Sequence, residues 1–362
     1  MRYNIFKYSC LAIVFAFVSC KKDPDSLPDS GYSVPTQYTF NNVNYSGQTY
    51  RLAMADELVT YMKSSANAGT VVDAQVMKNM FSNTASPFSD TVLNNCGKQL
   101  KDKFFLPDQP LVESYMDSMA IASQSSVSGS NGVAGIVTSN VNPLKKYCLA
   151  ANGYDYAEMV EKSLMGAVFY YQAINTYLDN ISSDDNSTVT PGQGTAMEHH
   201  FDEAFGYFGV PVDFPTNTAD VLFWGEYCND LDAVLNSNAT IMNLFLHARA
   251  AISNQDYSTR DQKISSIIYW WEKIIAAAAI HEINEAMTYF ADDALRNHTL
   301  SEFVGFVNAT KYSAHATMTS QQRSSILGYI GGNLYAVTMN DLLSARDEIS
   351  TIYQLDDIKT IL

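Results

Sequence analysis

The densest run of ionisable side chains in the sequence is Glu198-His199-His200-Phe201-Asp202-Glu203. On a helix turning about 100° per residue, His199 lies four residues before Glu203 and His200 three before it, so each pair can converge on one point. Neutral imidazole with carboxylate is a donor set suited to iron, zinc or manganese. His200 and Glu203 are the candidate metal ligands, with His199 and Asp202 as accessory ligands or as groups that orient the imidazole. The same residues also suit a solvated helix face. An HxxE pair supplies two ligands where zinc hydrolysis needs three and a base, so other donors must come from another helix. His281 is the other singular residue. It ends the run Trp270–His281, which from 274 to 280 is apolar all round, as in a central bundle helix. It is either a core histidine held by one hydrogen bond or a third ligand facing Glu203.

Helical spacing dominates the elements that must position these residues. Leu52, Leu58, Val59 and Met62 mark a first helix ending near Gly69, and Asp73 caps a second running through Phe81. Further helices are expected at about 91–104, 109–124, 154–181, 196–208, 229–253, 259–296, 299–315, 319–329 and 340–353. The Ser-, Gly- and Asn-rich stretch 123–142 and the polar stretch 182–195 read as loops. Met197, Phe201, Ala204, Phe205 and Phe208 share one face, leaving the His and acid groups off the main apolar stripe.

The chain repeats itself. His199–Phe208 aligns with His298–Val307 at an offset of 99, with His, Glu and Gly recurring, and Glu161-Lys162 aligns with Glu272-Lys273. His298 and Glu302 match His199 and Glu203, while Thr299 and Ser301 replace His200 and Asp202. The first copy therefore keeps more of the candidate chemistry. The expected fold is all-α, built of two duplicated helical bundles over 38–208 and 209–362, between which helices can be exchanged.

With 47% hydrophobic residues and 17% charged, the 362-residue chain has ample material for a packed core. A net charge of −16 argues against nucleic acid as a partner. At the N-terminus, Arg2 and Lys7 precede the apolar run Leu11–Val18 and the tetrapeptide Phe17-Val18-Ser19-Cys20. That pattern is a secretory signal over residues 1–19 and resembles a lipoprotein lipobox, with Cys20 as the lipidated residue. Residues 20–37, with Pro24, Pro28, Gly31 and Pro35, suit a flexible tether. The reading places the protein in the cell envelope, anchored to a membrane by lipid, with the outer membrane as the expected location. Cys96, Cys148 and Cys228 allow at most one bridge, or three buried thiols.

His200-Phe201-Asp202-Glu203, opening a short helix after a long one in a duplicated helical lipoprotein, resembles the imelysin-like proteins, a family marked by HxxE. His199 stands where that family has glycine. The segments YTFNNVNYSGQTYRL and AMEHHFDEAFGYFGVP are similar to a Bacteroidetes lipoprotein family of unknown function within that group. The resemblance implies two helical bundles with the HxxE at a groove between them, and a link to iron or haem uptake. Two readings follow. One is an envelope protein binding Fe, Zn or a metal-containing ligand at His200 and Glu203. The other is a metal-free surface module whose groove takes a peptide, glycan or partner protein. Peptidase chemistry is not supported, because the sequence shows no second zinc motif.

Overall fold

The computed structural model describes residues 31–362. The signal segment, Cys20 and the tether as far as residue 30 lie outside the described residues.

Helices start where side-chain oxygens satisfy the first free amides. Asp73 accepts from Gln75 and Val76 to open α2 (Ala74–Ser82), after α1 (Ser46–Lys63). Asp90 caps the short α3 (Thr91–Asn95), and α4 spans Gln109–Ser123. Asp155 caps α5 (Tyr156–Leu164), whose axis continues in wider π-helical turns at Met165–Tyr170 and Gln172–Leu178. Thr195 and Glu198 form a capping box on α6 (Ala196–Phe208). Then come α7 (Trp224–Asp230), α8 (Asp232–Leu235), α9 (Ser237–Ser253), α10 (Tyr257–Thr288) and α11 (Asp293–Ala309). The last two are α12 (Ser320–Ile330) and α13 (Met339–Tyr353), each with its own threonine capping box.

The chain is mostly helical, as expected, but four stretches differ from the sequence reading. The single helix expected at 229–253 is instead α7, α8 and α9, with the chain broken between α8 and α9 at Asn236, whose φ is +51°. The expected helix at 91–104 is α3 followed by a 3-10 turn at Lys101–Lys103. The stretch read as loop contains two short strands, β1 (Gly135–Thr138) and β2 (Lys146–Leu149), paired antiparallel from Gly135–Leu149 to Thr138–Lys146. Four-residue strands are too short for a period-two signal to stand out from the polar residues around them. The break between α10 and α11 falls at residues 289–292 rather than near 297. Asp292 sets it, accepting from the Ala294 and Leu295 amides and also from the Ser139 hydroxyl. His298 is thereby inside α11 rather than before it.

Val34–Leu362 forms one compact unit; a main apolar cluster runs through it from Tyr38 to Leu362, and Val137, Leu149 and Ala294 form a small second one. Ile274–Ile280 of α10 are buried on all sides, as a central helix requires. The two halves interleave: α6 packs on α1, on the extension of α5 and on α9, while α11 packs on α5 and α10. Cys96, Cys148 and Cys228 are free thiols.

The repeat is visible as two helix crossings made at glycine. A Cβ on Gly206 of α6 would lie 2.7 Å from the Tyr45 Cβ at the start of α1, and one on Gly305 of α11 would lie 2.3 Å from the Lys162 Cβ on α5. Intrinsic propensity favours alanine over glycine in a helix by about 1 kcal/mol. Overpacking of this kind costs about 1–3 kcal/mol and wins. Gly305→Ala is therefore expected to lower the urea midpoint. A raised midpoint would mean that α5 and α11 do not cross this closely.

Candidate functional site

The capping box that starts α6 decides where its ionisable groups point. Glu198 Oε2 accepts from the Thr195 amide at 3.0 Å, and its Oε1 from Arg249 at 2.8 Å. Asp202, one helical turn on, faces inward and is fully buried. Its Oδ1 accepts from Arg249 Nε and from the Tyr38 hydroxyl, both at 2.8 Å. Burial pushes the Asp202 carboxyl up to about 6, against the pull of Arg249. His200 turns the other way, its Nδ1 2.7 Å from Asp184 Oδ2. His199 Nε2 lies 4.0 Å from Glu203 Oε1, which accepts from Gln48 Nε2 at 2.9 Å. His281 is half-buried, with Asp230 as its charged neighbour. The proposed ligands of the first copy are thus shared among separate partners: His200 with Asp184, His199 with Glu203, Asp202 with Arg249, His281 with Asp230.

The second copy carries the denser chemistry. Among the described residues, one set of three side chains brings metal-ligand atoms within 4.8 Å of one another: Asp155, Glu158 and His298. Asp155 is the residue that caps α5, Glu158 lies on its first turn, and His298 projects from α11 about two turns before the Gly305 crossing. His298 Nδ1 is 3.0 Å from Asp155 Oδ2 and 3.8 Å from Glu158 Oε1. Its Nε2 is 3.1 Å from Glu302 Oε1, and Tyr147 of β2 stacks on the ring at 3.9 Å between centroids. Lys63, from the end of α1, reaches Glu158 Oε1 at 2.9 Å. A pocket of about 290 Å³ opens onto Asp155, Glu158 and His298, with Lys63, Lys145 and Lys146 also lining it. Cys148 shares the pocket, but burial pushes its thiol up to about 11, so it is neither thiolate nucleophile nor ready ligand at neutral pH. A cleft of about 380 Å³ beside His315 is larger, but its three acids are already engaged: Glu272 by the Thr317 amide at 2.8 Å and the Tyr353 hydroxyl at 2.7 Å, Asp179 by His315 and Asp261 by Arg260. The smaller pocket holds the convergent donors.

Burial alone would lower the His298 pKa; Glu158, with hydrogen bonds to Asp155 and Glu302, outweighs it and holds the imidazole well above its ordinary value of 6.5. The stability this contributes is complete below about pH 6.5 and is lost as pH rises through the folded-state value. Between pH 6.5 and the alkaline range, the metal-free protein should therefore lose stability relative to a His298→Gln variant. Urea midpoints of both proteins across that range check this; parallel curves would show that His298 stays neutral.

The sequence offered one signal for the acids that complete this site. Asp155, Glu158 and Lys162 are spaced three and four apart, a charged row on a helix that also carries Glu161 and becomes buried. The spacing alone does not say that this row meets α11. No curated protein and no solved structure matches the chain. Residues 35–327 match the model of a domain of unknown function (DUF4856), so the chain belongs to that family.

Proposed function

We propose that this is a binding protein for a divalent metal ion, and that the ion sits between Asp155, Glu158 and His298 rather than at His200 and Glu203. The observation that carries this reading is the convergence of two carboxylates and an imidazole nitrogen at the base of an open pocket. The arrangement around the imidazole also fits. A metal-bound histidine usually donates its other ring N–H to a carboxylate, and Glu302 is placed to accept from Nε2. The ion replaces the proton on Nδ1 and displaces Lys63 from Glu158. Two oxygen donors with one nitrogen suit Fe²⁺, Mn²⁺ or Zn²⁺. The pocket is far larger than an ion, leaving room for water or a small anionic co-ligand against the lysines.

The resemblance of the HxxE segment to imelysin-like proteins supports a metal-linked role. The lipobox-like Phe17–Cys20 supports an envelope lipoprotein anchored through Cys20. The test is elemental analysis of residues 21–362, purified without added metal and again after loading with Fe²⁺, Mn²⁺ or Zn²⁺ and desalting. Near-stoichiometric metal that disappears in His298→Ala supports the reading; no retained metal in any preparation sinks it. One observation favours the metal-free interaction module in that event. Leu144, at the same pocket, is 91% exposed, with Val141 exposed in the same turn between the strands.

A further inference from the structure

One side of the pocket's mouth is the tip of the β1–β2 hairpin, residues 139–145. An exposed turn is ordinarily free to move, but this one is held through its backbone. Asp292 Oδ2 accepts from the Ser139 hydroxyl at 2.6 Å and from the Asn140 and Val141 amides at 2.9 and 3.2 Å. Ser139 Oγ accepts in turn from the Val141 and Asn142 amides, and the Lys145 amide closes the turn on the Asn142 carbonyl at 2.8 Å. The other oxygen of Asp292 caps α11, the helix that carries His298. One carboxylate thus sets the hairpin tip and the imidazole in a common frame.

The tip presents charge without a partner. Lys145 and Lys146 line the pocket, both are exposed, and neither has an ion-pair partner among the described residues. Partners are plentiful elsewhere, since the chain has 38 acidic residues to 22 lysines and arginines. Lys78, Lys101 and Lys311 each hold a carboxylate at 2.6–2.7 Å. Deeper in the pocket the charges already balance. Asp155 and Glu158 neutralise a divalent ion, and Glu161, 2.7 Å from Lys63, keeps that lysine once the ion has displaced it from Glu158. Lys145 and Lys146 are left as two uncompensated positive charges. The ion's coordination is also incomplete, because three protein donors fill about half of the octahedral, oxygen-rich shell that Mn²⁺ prefers. The pocket, at about 290 Å³, has the size that takes a small organic ligand.

We propose that the pocket holds its ion as a complex with a small organic di- or tricarboxylate: oxygens of that ligand complete the shell of the ion bound by Asp155, Glu158 and His298, and a further carboxylate of the same molecule lies on Lys145 and Lys146. The proposal deepens the metal-binding reading above and rests on it for the ion. A monocarboxylate satisfies the ion or the lysines but not both, and water on the ion leaves the lysine charges unmatched. Ala66, Met119 and Ala157, which also line the pocket, suit the carbon skeleton between the carboxylates. Because the hairpin tip is fixed before the ligand arrives, little ordering cost is left for binding.

Equilibrium dialysis of radiolabelled citrate against residues 21–362, with and without Mn²⁺, tests this in wild type and in Lys145→Ala/Lys146→Ala. With Mn²⁺ present, wild type should retain about one citrate per chain, and the double variant should bind it about tenfold more weakly, since an exposed charge pair contributes up to about fivefold. In citrate-free buffer the Mn²⁺ affinity of the double variant should move the other way, to the wild-type value or above it, because two positive charges have left the ion's surroundings. Equal citrate affinity in the two proteins overturns the proposal. So does citrate that strips Mn²⁺ from the protein without being retained, and Mn²⁺ held in citrate-free buffer then leaves the metal-binding reading standing. Citrate held through the lysines by a protein that takes up no Mn²⁺ overturns the metal-binding reading and, with it, the bridged complex.

Discussion

His298→Ala is expected to weaken Mn²⁺ or Fe²⁺ binding by more than about 100-fold, since loss of the groups that merely orient a ligand already costs about 10- to 100-fold. Asp155→Asn should fall in the same range, because Asp155 Oδ2 is the closest donor to the imidazole, at 3.0 Å. His200→Ala is the contrast that gives the experiment its force. His200 is partnered with Asp184 and stands in the other copy of the repeat, so its loss should leave affinity within about twofold of wild type, under half a kcal/mol. Isothermal titration of the three variants separates the two copies. If His200→Ala alone abolished binding, the ion would belong to the HxxE after all, and the arrangement around His298 would be an internal ion network.

Asp202→Ala should produce the largest loss of stability. It strands Arg249, which is fully buried, with only Glu198 as a charged partner. Breaking a buried pair by removing one member costs about 3–5 kcal/mol, because the remaining charge is left without compensation. Replacing both members with apolar residues of similar volume, Asp202→Leu with Arg249→Met, should recover only part of that loss: neither of the two charges is then desolvated, but Glu198 loses its cation and the buried Tyr38 hydroxyl its acceptor. Urea unfolding measures both effects. The same variants probe the role of Asp202: a structural residue leaves metal stoichiometry unchanged in the folded Asp202→Leu/Arg249→Met protein, whereas a ligand does not.

Much of the architecture follows from local rules. Asp73, Thr195 and the apolar stripe of Met197, Phe201, Ala204, Phe205 and Phe208 mark α2 and α6 because capping and amphipathic spacing act over a few residues. The all-apolar run 274–280 marks the central helix for the same reason. Asp292 was a weaker marker, since Asp293 follows it and the apolar pattern continues on both sides. The site was half legible. His298 and Glu302 stand out once the repeat is aligned, but the density of Glu198–Glu203 draws attention to the first copy. Density along the chain is a poor guide here because α6 disperses those groups among Arg249, Asp184 and Gln48. The site at His298 is assembled by two helices distant in sequence, and its acids are supplied by α5, not by α11. Two features of one helix, charge at spacings of three and four together with complete burial, become meaningful only when the packing partner is known.

The segment leading into α1 is fastened unusually firmly. Tyr38 stacks on Phe205 with ring centroids 3.7 Å apart and donates to Asp202, and Arg249 lies 5.0 Å from the Phe40 ring centre. The Tyr38 backbone amide also donates to the Val212 carbonyl at 2.8 Å. Mechanically, this is a pinned joint. A pull applied from the N-terminal side is delivered at Tyr38 to the Asp202–Arg249 pair between α6 and α9, and α1 is not the first element to peel away. A membrane anchor at that end would therefore load the middle of the domain and leave the His298 pocket, built on α5 and α11, outside the line of force.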